Sequence, residues 1–238
     1  MILLALDTCD SRGSLAVLKD DEVLNAVAHE GASDYSSWVL PSAHQALTAA
    51  GLGMTDVDVF AVATGPGSFT GVRIGLTTVK AWSEAYDKPI ANISRLEAMA
   101  SESRASNGCV AAFVDAHREQ VFGGLYRTQG EGLSLVEHEM VIGPEAFVNW
   151  VAEHSGGEPV SWVSLDAERI ATLKIWEKRT KKGEAVQTST SLLAPAIGRL
   201  GRQRALEGLL TDALALDAEY VRRSDAEVFW KGPPSRGS

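Results

Sequence analysis

Residues 64–75 hold the densest chemical pattern in the chain, Thr-Gly-Pro-Gly-Ser-Phe-Thr-Gly-Val-Arg-Ile-Gly. It reads as the end of a strand, a tight turn and the start of a helix. Gly65 and Gly67 admit backbone angles that other residues disfavour, and Ser68 or Thr70 can cap the first free amides of the helix. Such a turn can hold an anion, a nucleotide phosphate for example, at a helix N-terminus. It is not a Walker A loop, because no Lys-Ser/Thr follows the last glycine. Gly65, Gly67 and Gly71 are spaced GxGxxxG, one residue longer than the dinucleotide fingerprint. The competing reading, which the pattern alone favours, is that the glycines let helix and strand pack closely. Ser68 is not in a nucleophile elbow, since Phe69 and Thr70 intervene before Gly71.

Two acids end apolar runs: Asp7, followed by Thr8, and Asp115. For Asp7 a cleft role and a structural role stand even, and for Asp115 a turn or capping role leads. Neither has a nucleophile and base beside it in sequence. His29, His138 and His154 are isolated and read as surface or satisfied residues. No Cys/His cluster suggests zinc. Cys9 and Cys109 are expected to be small core residues, with Arg12 the one basic neighbour that would lower the Cys9 pKa.

The elements that must position these residues follow from periodicity. Residues 2–6 are a short apolar run, and 13–18 and 22–28 follow as a hairpin. Residues 36–50 carry Val39, Ala43, Leu47 and Ala50 on one helical stripe, with Ser33 and Asp34 as cap candidates. Residues 58–63 form a strand, 68–86 a helix with Val72, Leu76 and Val79 on its apolar side, 89–93 a strand and 95–103 a helix. After a break at 106–108 the order begins again. Residues 109–114 are apolar, 120–127 and 133–141 form a second hairpin, 144–154 a helix with Pro at its first position, and 159–164 a strand. A helix over 166–179 and another over 191–207 complete the pattern. Alternating strands and helices imply mixed sheets covered by helices. The doubled order implies two similar lobes, residues 1–105 and 106–231, with the strand-end acids at the mouth between them. Residues 232–238 read as a mobile tail.

With 238 residues, 45% hydrophobic and 22% charged, the chain has the balance of a globular protein. Its net charge of -9 argues against gripping nucleic acid unaided. The apolar start meets Asp7 too soon for a signal peptide, and no run reaches the ~20 apolar residues of a membrane span. A reduced cytoplasmic setting is expected.

The glycine-rich segment, together with Leu4-Ala5-Leu6-Asp7-Thr8, resembles the TsaB (YeaZ) family. The family's Asp-Ala-Arg segment is matched by Asp115-Ala116-His117-Arg118, then Val121-Phe122, and its Glu-Pro-x-Tyr-x-Arg ending by Ala218-Glu219-Tyr220-Val221-Arg222. The likeness is strong over residues 1–100 and loose over 140–210. It implies an α/β chain of the actin/Hsp70/sugar-kinase type, with two ribonuclease-H-like lobes of mixed sheets flanked by helices. It also implies a non-catalytic partner in making threonylcarbamoyl-adenosine at position 37 of tRNAs reading codons that begin with A. A related catalytic subunit, TsaD, transfers the threonylcarbamoyl group, and TsaE supplies ATPase action. ATP and Mg then belong to the assembled complex, with no cofactor or metal of the chain's own, and tRNA is met only through that complex. In kinase relatives the strand-end acids handle magnesium and phosphate, so Gly65, Gly67, Ser68, Thr70, Gly71, Arg73, Asp7 and Thr8 become candidates for a nucleotide contact. TsaD-type subunits carry a His-x-x-x-His pair on the first helix. The matching position here is Tyr35, and His44, nine residues on, makes no i, i+4 pair with it.

Pairing with TsaD through helices makes Val39, Ala43, Leu47, Val72, Leu76 and Val79 candidates for the interface. Trp38, Leu40, Ala46 and Trp82 widen the two apolar faces beyond what one sheet needs, as in half of a four-helix bundle. The same face would make a homodimer when the partner is absent. Arg169, Lys174, Lys178, Arg179, Lys181 and Lys182 form a basic cluster that reads as a solvated face, with tRNA backbone contact in the complex as its functional alternative. The competing class is an enzyme on the same fold, a nucleotide-dependent kinase or an endopeptidase.

Overall fold

The computed structural model describes residues 1–29, 34–105, 107–130 and 132–217. Ser33, the 218–222 ending and the 232–238 tail lie outside the described residues.

The first half runs β1 (Ile2–Asp7), β2 (Ser14–Lys19), β3 (Glu22–Ala28), α1 (Tyr35–Ala49), β4 (Val59–Ala63), α2 (Phe69–Tyr86), β5 (Ile90–Ile93) and α3 (Arg95–Ser101). The sheet order is β3-β2-β1-β4-β5, antiparallel among the first three strands and parallel from β1 through β4 to β5. β4 is buried along its whole length and β1 from its second residue on. Central strands covered on both faces need this unbroken apolar character.

The second half repeats the plan with β6 (Asn107–Asp115), β7 (Val121–Gln129), β8 (Gly132–Leu135), β9 (Met140–Ile142), α4 (Pro144–His154), β10 (Val160–Ser164), α5 (Glu168–Ala171), α6 (Trp176–Thr180) and β11 (Val186–Thr188). Its order is β11-β10-β6-β7-β8, with β9 also paired to β7. β6 stands where β1 stands, and β10 and β11 run parallel to it as β4 and β5 do to β1.

The second hairpin departs from its expected form. Residues 136–139 leave the ladder between β8 and β9, and Glu139 turns in to accept hydrogen bonds from Ser94 and Tyr126. The helix expected over 166–179 is two short ones. Ile170 and Trp176 are six residues apart and would face different ways on one helix. A turn between them lets both enter the core of the second sheet.

Side-chain alternation along β6 divides the interior. Cys109, Ala111 and Phe113 face an outer core with Phe147, Trp162 and Trp176. Val110, Ala112 and Val114 face inward and join Leu96, Met99 and the first sheet in one continuous core. The two lobes are therefore packed together through α3, not merely tethered.

The last helix, α7 (Ala194–Leu206), crosses back over the break at 106–108. It follows the second lobe in sequence but packs on the first sheet. Leu193, Ala196, Ile197 and Leu200 lie in the shared core. Gly198 lies against Leu18 and Gly201 against Ala61, where side chains would hold the helix off. Beyond it Thr211 pairs with Ile90 at the edge of β5. The first lobe is thus built from residues 1–105 together with roughly 193–217. Expressed alone, residues 1–105 should fail to fold, whereas the same fragment joined by a flexible linker to 191–217 should give a cooperative melt by circular dichroism. A cooperative melt of 1–105 alone would contradict this packing.

Candidate functional site

The glycine segment is a seat for α2. Ser68 ends the turn as the helix N-cap, its hydroxyl accepting from the Gly71 amide at 3.4 Å, while its own amide donates to the Cys9 carbonyl at 2.5 Å. Thr8, buried at the end of β1, donates to the Gly71 carbonyl at 2.7 Å. A Cβ on Gly67 would strike the Cys9 carbonyl, one on Gly71 the Thr8 carbonyl and one on Gly75 the Thr8 hydroxyl. Gly65 sits at φ +118°, where a side chain is strained. The glycines therefore serve the close approach of α2 to the end of β1. Thr70 and Arg73 point the other way, onto the outer face of α2, where the Arg73 guanidinium lies 3.7 Å from the centre of the Phe69 ring.

Asp7 is sealed. It is 0% exposed, and its Oδ1 accepts from the Cys9 amide at 2.8 Å. Its Oδ2 lies 3.2 Å from Nε of Arg95, itself 1% exposed. Arg95 Nη2 reaches Asp10 at 2.7 Å, Arg12 also holds Asp10 at 2.9 Å, and Arg12 crosses to Asp166 of the second lobe at 3.2 Å. Asp166 accepts from the Asp115 amide at 2.8 Å, and Asp115 takes an ion pair from Arg169. A chain of alternating charge thus runs from Asp7 to Asp166 of the second lobe, where the Asp115 backbone amide joins it.

The titration behaviour follows from this burial. Burial raises the Asp10 carboxyl, but the Arg95 charge and hydrogen bonds from Arg12 and Arg95 outweigh it and hold the group below the ordinary carboxylate range. Burial, then the Asp7 charge, pushes the Cys9 thiol well up, so it stays protonated. Tyr35 is raised by burial and by Asp7 and Asp10, and its hydroxyl donates to the Asp10 carbonyl. Tyr126 is likewise raised by burial and by Glu139.

Motif and spacing do not single out Arg95, Asp10 or Asp166, and they mark Arg12 only as a basic neighbour of Cys9. One signal was present: Arg95 opens a helix, where the dipole disfavours a cation, so a basic residue there answers to something else. Asp10 and Arg12 sit in a short loop without periodicity.

Val39, Ala43, Leu47, Val72, Leu76 and Val79, the six expected interface residues, all lie in the core against the first sheet. They form the inward stripe that any sheet-packed helix needs, and of the six Val39 alone, 2% exposed, also borders the outer groove. What α1 and α2 present outward is a groove of about 600 Å³ lined by Tyr35, Leu40, Phe69, Ile74, Thr77 and Ala81 among others. Leu40 is 58% and Phe69 38% exposed there.

The basic cluster is smaller than expected. Arg169 is engaged by Asp115, and Arg179 is buried against Glu184 at 2.9 Å beneath Trp162. Lys174, Lys178, Lys181 and Lys182 remain exposed. His29 packs on Tyr35 and Trp38, and His154 stacks on Trp150. His138 lines a cavity of about 730 Å³ of mixed character, with Glu97, Glu139 and Arg204 beside Leu133, Leu135 and Leu209. Among the described residues no three His, Cys, Asp or Glu side chains are grouped to hold a metal, and no helix is long and apolar enough to cross a membrane.

Two sheets of one strand order about a shared core, with helices on their faces, define an α/β protein of the actin/Hsp70/sugar-kinase type. The fold matches that of the ROK hexokinase from Thermus thermophilus, at 11% identity and a TM-score of 0.51 over 83% of this chain and 98% of that one. It matches YeaZ from Pseudomonas aeruginosa with a TM-score of 0.71 and 26% identity, over 92% of this chain and 99% of that one. The family model described as TsaD: tRNA N6-adenosine threonylcarbamoyltransferase matches residues 26–191. The tRNA threonylcarbamoyladenosine biosynthesis protein TsaB of Bacillus subtilis (strain 168) is 35% identical over 231 residues, 97% of this chain and 98% of its own. The chain belongs to the TsaB (YeaZ) family.

The seat of α2 makes a direct prediction. Gly71→Ala should destabilise the chain by roughly 2 kcal/mol or more in urea denaturation, because a backbone carbonyl blocks the new methyl. Gly143→Ala, where nothing lies within 4 Å, should cost no more than about 1 kcal/mol, the ordinary loss of an N-cap residue. Equal effects would show that close packing is not what Gly71 serves.

Proposed function

We propose that this chain is the non-catalytic subunit of the assembly that places threonylcarbamoyl on N6 of adenosine 37 in tRNAs reading codons that begin with A. It pairs with a TsaD-type catalytic subunit, orders it, and helps to recruit a TsaE-type ATPase. The observation that carries this reading is the state of Asp7. The acid best placed for chemistry is buried and spent on an arginine of its own chain. Catalysis by a carboxylate needs access to substrate. The shared core gives further support, because closure of two lobes on a nucleotide requires that they move apart, and here α3 is packed between them. ATP and Mg are used by the assembled complex, and the chain works in the cytoplasm.

The docking face is the groove between α1 and α2. Its two helices offer exposed Leu40 and Phe69 beside small residues such as Ala81 and Thr77. Two partner helices laid against them complete a four-helix packing, and the glycine seat fixes the angle at which α2 is presented. Lys174, Lys178, Lys181 and Lys182 are then the residues free to meet the tRNA backbone in the complex. A homodimer through the same groove is the assembly expected when the partner is missing.

The rival reading is an enzyme acting alone, a kinase or an endopeptidase. Groove substitutions separate the two. Leu40→Glu and Ala81→Arg should weaken pairing with a TsaD-type partner at least tenfold, about 1.4 kcal/mol, in size-exclusion and calorimetric titrations, with the melting temperature almost unchanged. Leu76→Arg should instead unfold the chain, since Leu76 is a core residue. Parental affinity in both groove variants would remove this face as the docking site.

A further inference from the structure

Two acids, Asp7 and Asp10, converge on the one guanidinium of Arg95, at 3.2 and 2.7 Å. The acids leave β1 together, whereas the arginine arrives from α3, 88 and 85 residues later. The acids are also held in place without it. The Cys9 amide fixes Asp7 Oδ1 at 2.8 Å, the Arg12 amide fixes Asp10 Oδ1 at 2.5 Å, and Tyr35 donates to the Asp10 carbonyl. Asp10 has a second cation in Arg12, on the solvent side. Among the described residues Asp7 has an ion pair with Arg95 alone. A buried carboxylate without a counter-ion is among the costliest arrangements in a protein interior. Shortening Arg95 would therefore leave a preplaced, cation-shaped vacancy with acids on two sides.

We propose that Asp7 and Asp10 form a latent cation site whose resident occupant is the Arg95 side chain, and that a small planar monocation, guanidinium ion first, takes the vacated place when that side chain is cut back. This inference concerns the chain alone and stands whether or not the docking reading holds. It gives Arg95 a definite role: the cation that a cleft of this fold can draw from solution is here part of the chain.

The test uses the full chain carrying Arg95→Ala. Its melting temperature should fall by roughly 6–20 °C, the range expected when a buried pair loses one partner. Guanidinium chloride at about 10 mM, far below denaturing levels, should restore a few degrees with saturating dependence. Tetramethylammonium at the same concentration should not, and the parent chain should respond to neither. Equal response to both salts, or restoration by magnesium without restoration by guanidinium, would overturn the assignment. If Arg95→Ala is obtained only unfolded, the triple variant Asp7→Asn, Asp10→Asn, Arg95→Met decides. With no charge left to compensate it should fold, and an unfolded triple variant would show that Arg95 serves something other than charge.

Discussion

A carboxylate taken fully out of water must be met by a positive charge where it lies, and Asp7 sets that requirement for this chain. It stands at the end of the first central strand, at the head of the ion-pair chain that reaches the second lobe at Asp166. Arg95 meets it from the first turn of α3, the same helix whose Leu96 and Met99 weld the lobes into one core. The neutralising residue and the packing residues thus share one short helix. Placing the arginine places the interface between the lobes, and the reverse holds too. The Arg95 amide donates to the Gly65 carbonyl, which ties the same helix to the glycine turn.

The glycine turn shows how one sequence pattern serves a different end on a familiar frame. A strand, a glycine-rich turn and a helix N-terminus are the parts of an anion site. Here the first turn of α2 is pressed against Thr8 and Cys9, with their carbonyls where glycine side chains would be. What results is a helix held at a fixed height and angle over β1. On the proposed function, in which the chain presents this surface to a partner, rigidity of that helix is what the packing supplies. The lobe arrangement has the same character, since α7 returns from the second half to cover the first sheet.

Much of this was legible in the residues. Apolar runs located the central strands, a proline at the first helical position located α4, and the 3.6-residue period located α1 and α2. Their burial on one face is what that period reports. The same fact explains the principal misplacement. Val39, Ala43, Leu47, Val72, Leu76 and Val79 carry the strongest period because they face the sheet, so an interface cannot be read from them. The outward groove is made of residues between those stripes, such as Leu40, Phe69 and Ala81, whose pattern is irregular. Likewise Asp7 was visible as a strand end, but its partner lies 88 residues away. Ion pairs between distant segments leave no local spacing to find. The return of α7 is hidden for the same reason, since its glycines acquire meaning only against Leu18 and Ala61.

The central claim, that this chain enables another protein's chemistry and performs none, is tested most directly by reconstitution. Purified chain, a TsaD-type partner, a TsaE-type ATPase, unmodified tRNA and the threonylcarbamoyl donor are combined, and modified nucleosides are quantified by mass spectrometry. The account predicts threonylcarbamoyl-adenosine from the complete mixture, none from this chain alone, and a sharp loss when the chain is left out. Product formed by this chain without the TsaD-type partner, or undiminished product in its absence, would contradict it.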